Sequence, residues 1–421
     1  MAPVDVRTVD WLAGPEGAAL LATLPPYDES RALAVGEQLR RAGTDPAVVA
    51  AALTQSRLRA RGVAKLGPEA ATMLLTPDGL EQASRAAVAT LHAARFASAG
   101  VRHVWDLGCG IGADARALAD AGLRVTAVDA DPVTAAVARA NLAGRPGARV
   151  VVGRAEDVVL PRPGTAREGA WLDPSRRVPG VADARGRTRR VFRLSEVSPS
   201  WEFVQGVAAR LPAVGAKFGP GFPHAEVPAG AQATWLSYGG EALECTLWWG
   251  ELVDRPGRGV LVHDGTRWHA LAPVDSSSLP EAGGEVSPGD HVHDPDRAVL
   301  AAGLVDAVCA AVDGRECAPG SGYVVSRGGG GTTPWARCLE VVEVLPLQAK
   351  ALRAWVRAED VGPLTLKKRG AWVDADALRR QLRPRGSQEA TLLLTRLARP
   401  SGQDAVALWV RPCPDGSPGA R

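Results

Sequence analysis

Val104-Trp105-Asp106-Leu107-Gly108-Cys109-Gly110-Ile111-Gly112 is the stretch on which the fold turns. An apolar run over 101–107 ends in Asp-Leu-Gly. Glycines then recur at alternate positions, where they let the backbone turn tightly and approach a ligand at a helix N-terminus. Outward from this point, helical spacing follows over 113–121, a second apolar run over 123–128 and a second helix over 132–142. Strand and helix alternating at this interval predict a parallel, doubly wound α/β sheet, whose ligands bind beyond the carboxyl ends of the strands. Further strands are predicted over 149–152, 169–172, 234–237 and 242–249.

The acids at these strand ends define the expected chemistry. The glycine spacing is G-x-G-x-G rather than G-x-G-x-x-G, with Asp106 two residues before Gly108. That favours S-adenosylmethionine over a dinucleotide, because it has no pyrophosphate for the helix dipole to hold and its amino group wants a carboxylate such as Asp106. Gly108, Gly110 and Gly112 would approach that cofactor. Asp129 closes the second apolar run, where an acid accepts both ribose hydroxyls of a nucleotide. After the third strand, Asp157 is a candidate acceptor for the adenine amine, with a helix cap as the alternative. At the end of the fourth strand, Asp173 and the carbonyl of Pro174 are candidates to hold a nucleophilic nitrogen in line with the methyl donor, with a simple Asp-Pro turn as the alternative. Methyl transfer needs mainly proximity and orientation, since the cofactor carries the hard chemistry.

Composition excludes several classes. The 421 residues are 46% hydrophobic and 23% charged, which is neither disordered, collagenous nor a disulfide mini-scaffold. The net charge of +3 conceals segregation: residues 176–193 carry seven Arg against Asp183, a local +6, and residues 348–421 carry +7, leaving the other 329 at −10. Codon bias explains 44 Arg beside 5 Lys but not this distribution. Arg176, Arg177 and Arg187 after the fourth strand, with Lys367-Lys368-Arg369 in the tail, are therefore candidate contacts to nucleic-acid phosphates. The six cysteines lie far apart with no C-x-x-C pair, so neither a zinc site nor a disulfide framework is expected. His291-Val292-His293 reads as a solvated loop, and no metal is expected. No apolar run of about 18 residues and no charged-then-apolar N-terminus occur, which predicts a cytoplasmic chain with no membrane partner.

Five regions are expected: a helical N-terminal region (1–99), the α/β core (100–270), a connecting region (271–338) with a helix over 297–312 and a Gly-rich linker, a strand-helix-strand-helix-strand unit (339–412), and a disordered tail (413–421). Nothing specifies an oligomeric state.

Asp106 to Gly112, Asp129 and Asp173-Pro174 resemble the first, second and fourth motifs of class I S-adenosylmethionine-dependent methyltransferases. More narrowly, the chain resembles the bacterial, largely actinobacterial members that end in a THUMP-like domain. Leu80-Glu81-Gln82-Ala83-Ser84, DLGCGIGAD, DPSRR, Ser198-Pro199-Ser200, Lys217-Phe218-Gly219-Pro220-Gly221, His293-Asp294-Pro295-Asp296-Arg297-Ala298, KKRGAWVDADALRRQL and TLLLTRLA carry that resemblance. It implies a Rossmann-like class I methyltransferase core, an N-terminal helical region and a small C-terminal α+β THUMP-like domain, a fold that helps present RNA in tRNA-modifying enzymes. It also makes Gln82 a candidate cofactor or active-site contact and marks Lys217 and Asp294 as family-like positions. One departure stands out: amino-methyltransferases of nucleic acids usually follow Asn/Asp-Pro with Pro and an aromatic that stacks on the flipped base, whereas Ser175 and Arg176 stand here. The expected function is methylation of a base in structured RNA, tRNA or rRNA. A methyltransferase of a small molecule or protein, and a non-catalytic RNA-binding protein that retains the fold, are the alternatives.

Overall fold

The computed structural model describes residues 5–164, 167–174, 194–327, 331–399 and 402–413. Arg176, Arg177 and Arg187, with the rest of the basic segment 176–193, lie outside the described residues, as do Ser175 and the tail from residue 414. The chain forms two compact units, one of Met1–Phe218 with Leu247–Arg255, the other of Gly219–Thr246 with Pro256–Arg421. Among the described residues no helix is long and apolar enough to cross a membrane.

The first unit begins with helices α1 (Val6–Ala13), α2 (Pro15–Thr23), α3 (Ala32–Arg41), α4 (Pro46–Leu66), α5 (Pro77–Gln82) and α6 (Ala86–Ser98). Their starts are written in the sequence. Pro15, Pro46 and Pro77 occupy first turns, where no backbone donor is needed. Asp5, Asp45 and Thr76 accept hydrogen bonds from the free N–H groups of α1, α4 and α5. Then come β1 (His103–Leu107), α7 (Ala113–Asp120), β2 (Arg124–Asp129), α8 (Pro132–Asn141), β3 (Ala148–Val152), β4 (Glu168–Leu172), α9 (Trp201–Arg210) and β5 (Ala213–Phe218). The five strands are parallel in the order β3-β2-β1-β4-β5. Leu107 pairs with Val128 on one side and Leu172 on the other. Asp129 and Asp173 therefore sit level on the two strands flanking β1, immediately beyond its end.

Two cores hold this unit. Val104, Val125, Ala127, Trp171 and Trp248 pack around the sheet, while Leu58, Leu75 and Leu80 of the leader pack against Ile111, Ala136 and Val137. Asn141 fastens the second interface: its Oδ1 accepts from Leu74 N–H at 2.8 Å, and its Nδ2 donates to the carbonyls of Leu74 (2.8 Å) and Ile111 (2.9 Å). A side chain at Gly79 would collide with Ile111 of the glycine loop, so only glycine permits this approach.

In the second unit, β6 (Gln232–Tyr238) leads into β7 (Glu241–Gly250), which runs on into the first unit. β8 (Gly257–His263) pairs parallel with β6 and antiparallel with β9 (Trp268–Leu271). The remainder comprises β10 (His291–Pro295), α10 (Arg297–Ala302), α11 (Val305–Ala311), β11 (Arg315–Glu316), β12 (Val324–Ser326), β13 (Ala336–Pro346), α12 (Ala349–Ala358), β14 (Val361–Lys368), α13 (Ala375–Leu382), β15 (Gln388–Arg399) and β16 (Gly402–Pro412). One seven-stranded sheet takes the order β11-β12-β10-β13-β16-β15-β14.

Several expectations change here. Residues of the stretch read as connecting, 271–338, supply β10, β11 and β12 to the sheet that carries the C-terminal unit. His291-Val292-His293 is part of β10 rather than a solvated loop: His293 is fully buried, bonds Ser326 at 3.0 Å, and burial pulls its imidazole down to about 4. The helix expected over 297–312 is two helices, because Gly303 takes φ +64 and ends the first. Cys413 does not open a disordered tail; it follows β16 and forms a disulfide with Cys338 on the neighbouring β13. The cysteines are 75 positions apart in sequence, and pairing of β13 with β16 brings them together. The sulfurs and His291 lie within 4.8 Å of one another, but the disulfide occupies the two thiols.

Candidate active site

The glycine loop lies at the carboxyl end of β1. Gly108, Gly110 and Gly112 have φ of +97, +55 and +82, left-handed conformations that only glycine adopts cheaply. Gly108 and Cys109 N–H groups donate to the Val128 carbonyl at 2.9 and 3.0 Å, tying the loop to β2. The Gly110 N–H donates to Asp129 Oδ2 at 3.0 Å, and Asp131 N–H donates to its Oδ1 at 2.9 Å. Asp129 is thus fixed against the loop. The Cys109 thiol is pushed well up by burial and by Asp106 and Asp129, so it is protonated and inert.

Asp106 is the electrostatic anomaly. It is 1% exposed, and among the described residues neither carboxylate oxygen has a hydrogen-bond partner. Burial, then the charges of Asp114, Asp173 and Asp129, push its carboxyl well above the usual range. An unsatisfied buried carboxylate is costly unless a cation reaches it. Four acids with Lys217 and His92 make this end of the sheet negative, which suits the ammonium and sulfonium of S-adenosylmethionine.

Asp173 follows β4 directly. Its Oδ2 lies 2.5 Å from Lys217 Nζ, carried by β5. Lys217 is 9% exposed and also reaches Ser84 Oγ at 3.3 Å and the Gln82 carbonyl at 3.5 Å. Ser84 Oγ in turn donates to Asp114 Oδ2 at 2.8 Å, and Asp114 Oδ1 lies 3.1 Å from His92 Nδ1. Burial alone would raise the Asp114 carboxyl, but the His92 hydrogen bond, Lys217 and Ser84 together hold it below its usual value. His92 packs on Trp171, the rings 4.3 Å apart. A continuous polar chain thus runs from Asp173 through Lys217, Ser84 and Asp114 to His92. Lys65 of α4 lies near its start, donating to the Leu80 and Glu81 carbonyls at 2.9 and 2.6 Å. Burial, with Lys217 and Arg85 nearby, lowers its ammonium to about 8.

Asp106, Gly108, Gly110, Gly112, Asp129, Asp173 and the buried Pro174 come together at the ends of β1, β2 and β4. Gln82 joins them through its carbonyl, while its side chain is exposed. Asp157 is exposed in a 3-10 turn after β3 and makes no side-chain hydrogen bond to a described residue. Lys367, Lys368 and Arg369, expected to face phosphates, have protein partners. Lys367 Nζ and Arg369 Nη2 lie 2.9 and 2.8 Å from the Asp294 carboxylate, and Lys368 Nζ donates to the Val373 carbonyl at 2.8 Å. Asp294 is poorly exposed and lies 73 positions from Lys367, so nothing local to either residue announces this pairing. Sequence reasoning missed His92 altogether; its only mark is a polar residue on the apolar face of α6, whose other buried members are Val88, Ala89, Ala93 and Phe96.

Comparison with known proteins bears on these two regions. Residues 104–167 match a methyltransferase domain family, residues 336–412 a THUMP domain-like family, and residues 5–62 a domain family of unknown function. A Mycobacterium tuberculosis protein described as an uncharacterized S-adenosylmethionine-dependent methyltransferase is 32% identical over 369 residues, covering 84% of this chain and 95% of its own. The same match is found in a second strain of that organism. A solved structure from Porphyromonas gingivalis W83, described as a putative methyltransferase, superposes with a TM-score of 0.67 at 18% identity, covering 92% of this chain and all of the other.

Proposed function

The chain belongs to the class I S-adenosylmethionine-dependent methyltransferases that carry a C-terminal THUMP-like domain, and from that premise we propose that it methylates a base in structured RNA, tRNA or rRNA, in the cytoplasm. The observation that carries the substrate class is the THUMP domain-like match over 336–412 in a tail whose residues 348–421 have a net charge of +7. Backbone-phosphate binding needs such a basic surface.

The cofactor supplies an activated methyl group on a sulfonium. Asp106 takes its ammonium, Asp129 its ribose hydroxyls, and the glycine loop lets the backbone approach it closely. Asp157 flanks the adenine, and Gln82 borders the site. Asp173, held by Lys217, and the Pro174 carbonyl would accept hydrogen bonds from the acceptor nitrogen and orient it toward the methyl donor. Arg176, Arg177 and Arg187 neutralise phosphates beside it.

One observation favours a second acceptor class, a small molecule or protein: Lys367 and Arg369 are paired with Asp294 rather than open to solvent. Incubation with radiolabelled S-adenosylmethionine and total RNA separates the two. Label in RNA, lost in Asp173→Ala, supports the proposal, and label confined to protein or small molecules supports the second reading.

A further inference from the structure

Trp372 is 99% exposed, the most exposed of the large hydrophobic side chains among the described residues. Its loop is nonetheless pinned at both ends. On one side the Arg369 guanidinium is held by Asp294, donates to the Gly322 carbonyl at 2.9 Å and lies 4.6 Å from the centroid of the Tyr323 ring. Gly370, at φ +74, packs onto Ser321. On the other side Asp374 caps α13, accepting from the Asp376 and Ala377 N–H groups at 3.0 and 3.1 Å. The Lys368 ammonium is fixed on the Val373 carbonyl, one residue from Trp372. An indole presented on a clamped turn loses the packing that Trp355 of α12 and Trp409 of β16 obtain, edge to face and 5.2 Å apart.

We propose that Trp372 is a stacking platform for an unpaired base of RNA, with Lys368 and Arg380 beside it to take the flanking phosphates; the assignment rests on the RNA reading above. The pairing of an exposed ring with adjacent cations is the arrangement by which single strands are held, each base offering a π-face and each linkage a charge. Both cations belong to the elements that flank the ring's turn: Lys368 bonds the Val373 carbonyl, and Arg380 stands on α13, the helix that Asp374 caps. Arg379, Arg383 and Arg385 extend the exposed positive surface, against Asp374 and Asp376. That excess of positive charge selects a polyanion over an acidic-neutral protein partner. Lys367 and Arg369, consumed by Asp294, brace the platform.

The test uses the full chain and two fluorescent probes: a short single-stranded RNA of mixed sequence, and the same length of ribose-phosphate backbone without bases. Trp372→Ala should weaken binding of the RNA by about ten- to a hundredfold, Trp372→Phe should restore most of it, and the abasic probe should not distinguish the variants. Lys368→Ala with Arg380→Ala should instead flatten the salt dependence for both probes. Thermal midpoints equal to wild type confirm that the exposed ring is not structural. Unchanged RNA affinity in Trp372→Ala, or equal losses on both probes, overturns the stacking role while leaving the RNA reading intact. A wild-type chain that binds neither probe overturns the stacking role, and one that also fails to bind total RNA overturns the RNA reading.

Discussion

Lys217 Nζ lies 2.5 Å from Asp173 Oδ2, joining the ends of β5 and β4 in one buried-edge ion pair. The carboxylate is thereby an oriented acceptor, not a free base, and Lys217 is the residue that orients it. Lys217→Met should lower turnover about 10²-fold, the scale of a small misplacement of reacting groups. Affinity for S-adenosylmethionine should change only a few-fold. Single-turnover rates alongside calorimetric Kd values check this; an unchanged rate would remove Lys217 from the account.

Asp106 predicts a trade between stability and binding. Its carboxyl is raised above its unfolded value by burial, so the folded chain keeps that proton over a window in which the unfolded chain has lost it. This contribution to stability is complete below the ordinary carboxylate range and is lost as pH rises through the elevated value. On the proposed role of Asp106 as partner of the cofactor's ammonium, binding needs the anion, so affinity should rise with pH over the same window and binding should release a proton. Asp106→Asn should raise the thermal midpoint of the ligand-free protein at pH 8 and weaken S-adenosylmethionine binding by about 2–5 kcal/mol. Calorimetry in two buffers of different ionisation enthalpy reads the proton.

Asn141 links the leader to the glycine loop through three hydrogen bonds. Asn141→Ala leaves the Leu74 N–H and the carbonyls of Leu74 and Ile111 without their partner. At about 1–3 kcal/mol for a buried unsatisfied group, a net loss of about 3 kcal/mol is expected in urea unfolding. A loss below about 0.5 kcal/mol would be the size of an ordinary surface substitution and contradict this role.

The Cys338–Cys413 disulfide closes a loop of 75 positions. Loop-closure entropy sets its contribution at about 4 kcal/mol as an upper figure. Cys413→Ser, or reductant on the wild type, should lower the urea midpoint, with no further effect of reductant on the variant.

Legibility in the sequence followed distance along the chain. The β1-α7-β2-α8 run was readable because its period, glycines and closing acids are local, and the observed strands differ from the expected ones by one or two residues. The positions of Asp106, Asp129 and Asp173 at the strand ends were readable for the same reason. The Lys217-Ser84-Asp114-His92 chain was not, because its members come from β5, the α5–α6 turn, α7 and α6 and meet only when the sheet is wound. The pairing of Lys367 and Arg369 was hidden for the converse reason: charge is visible in sequence, and the distant Asp294 that meets both cations is not.

Nucleoside mass spectrometry of total RNA from a strain lacking this chain, beside its parent, decides whether an RNA base is the methyl acceptor. One methylated nucleoside should be missing, and it should return with the wild-type chain but not with Asp173→Ala. An identical set of methylated nucleosides in the two strains would contradict methylation of an RNA base.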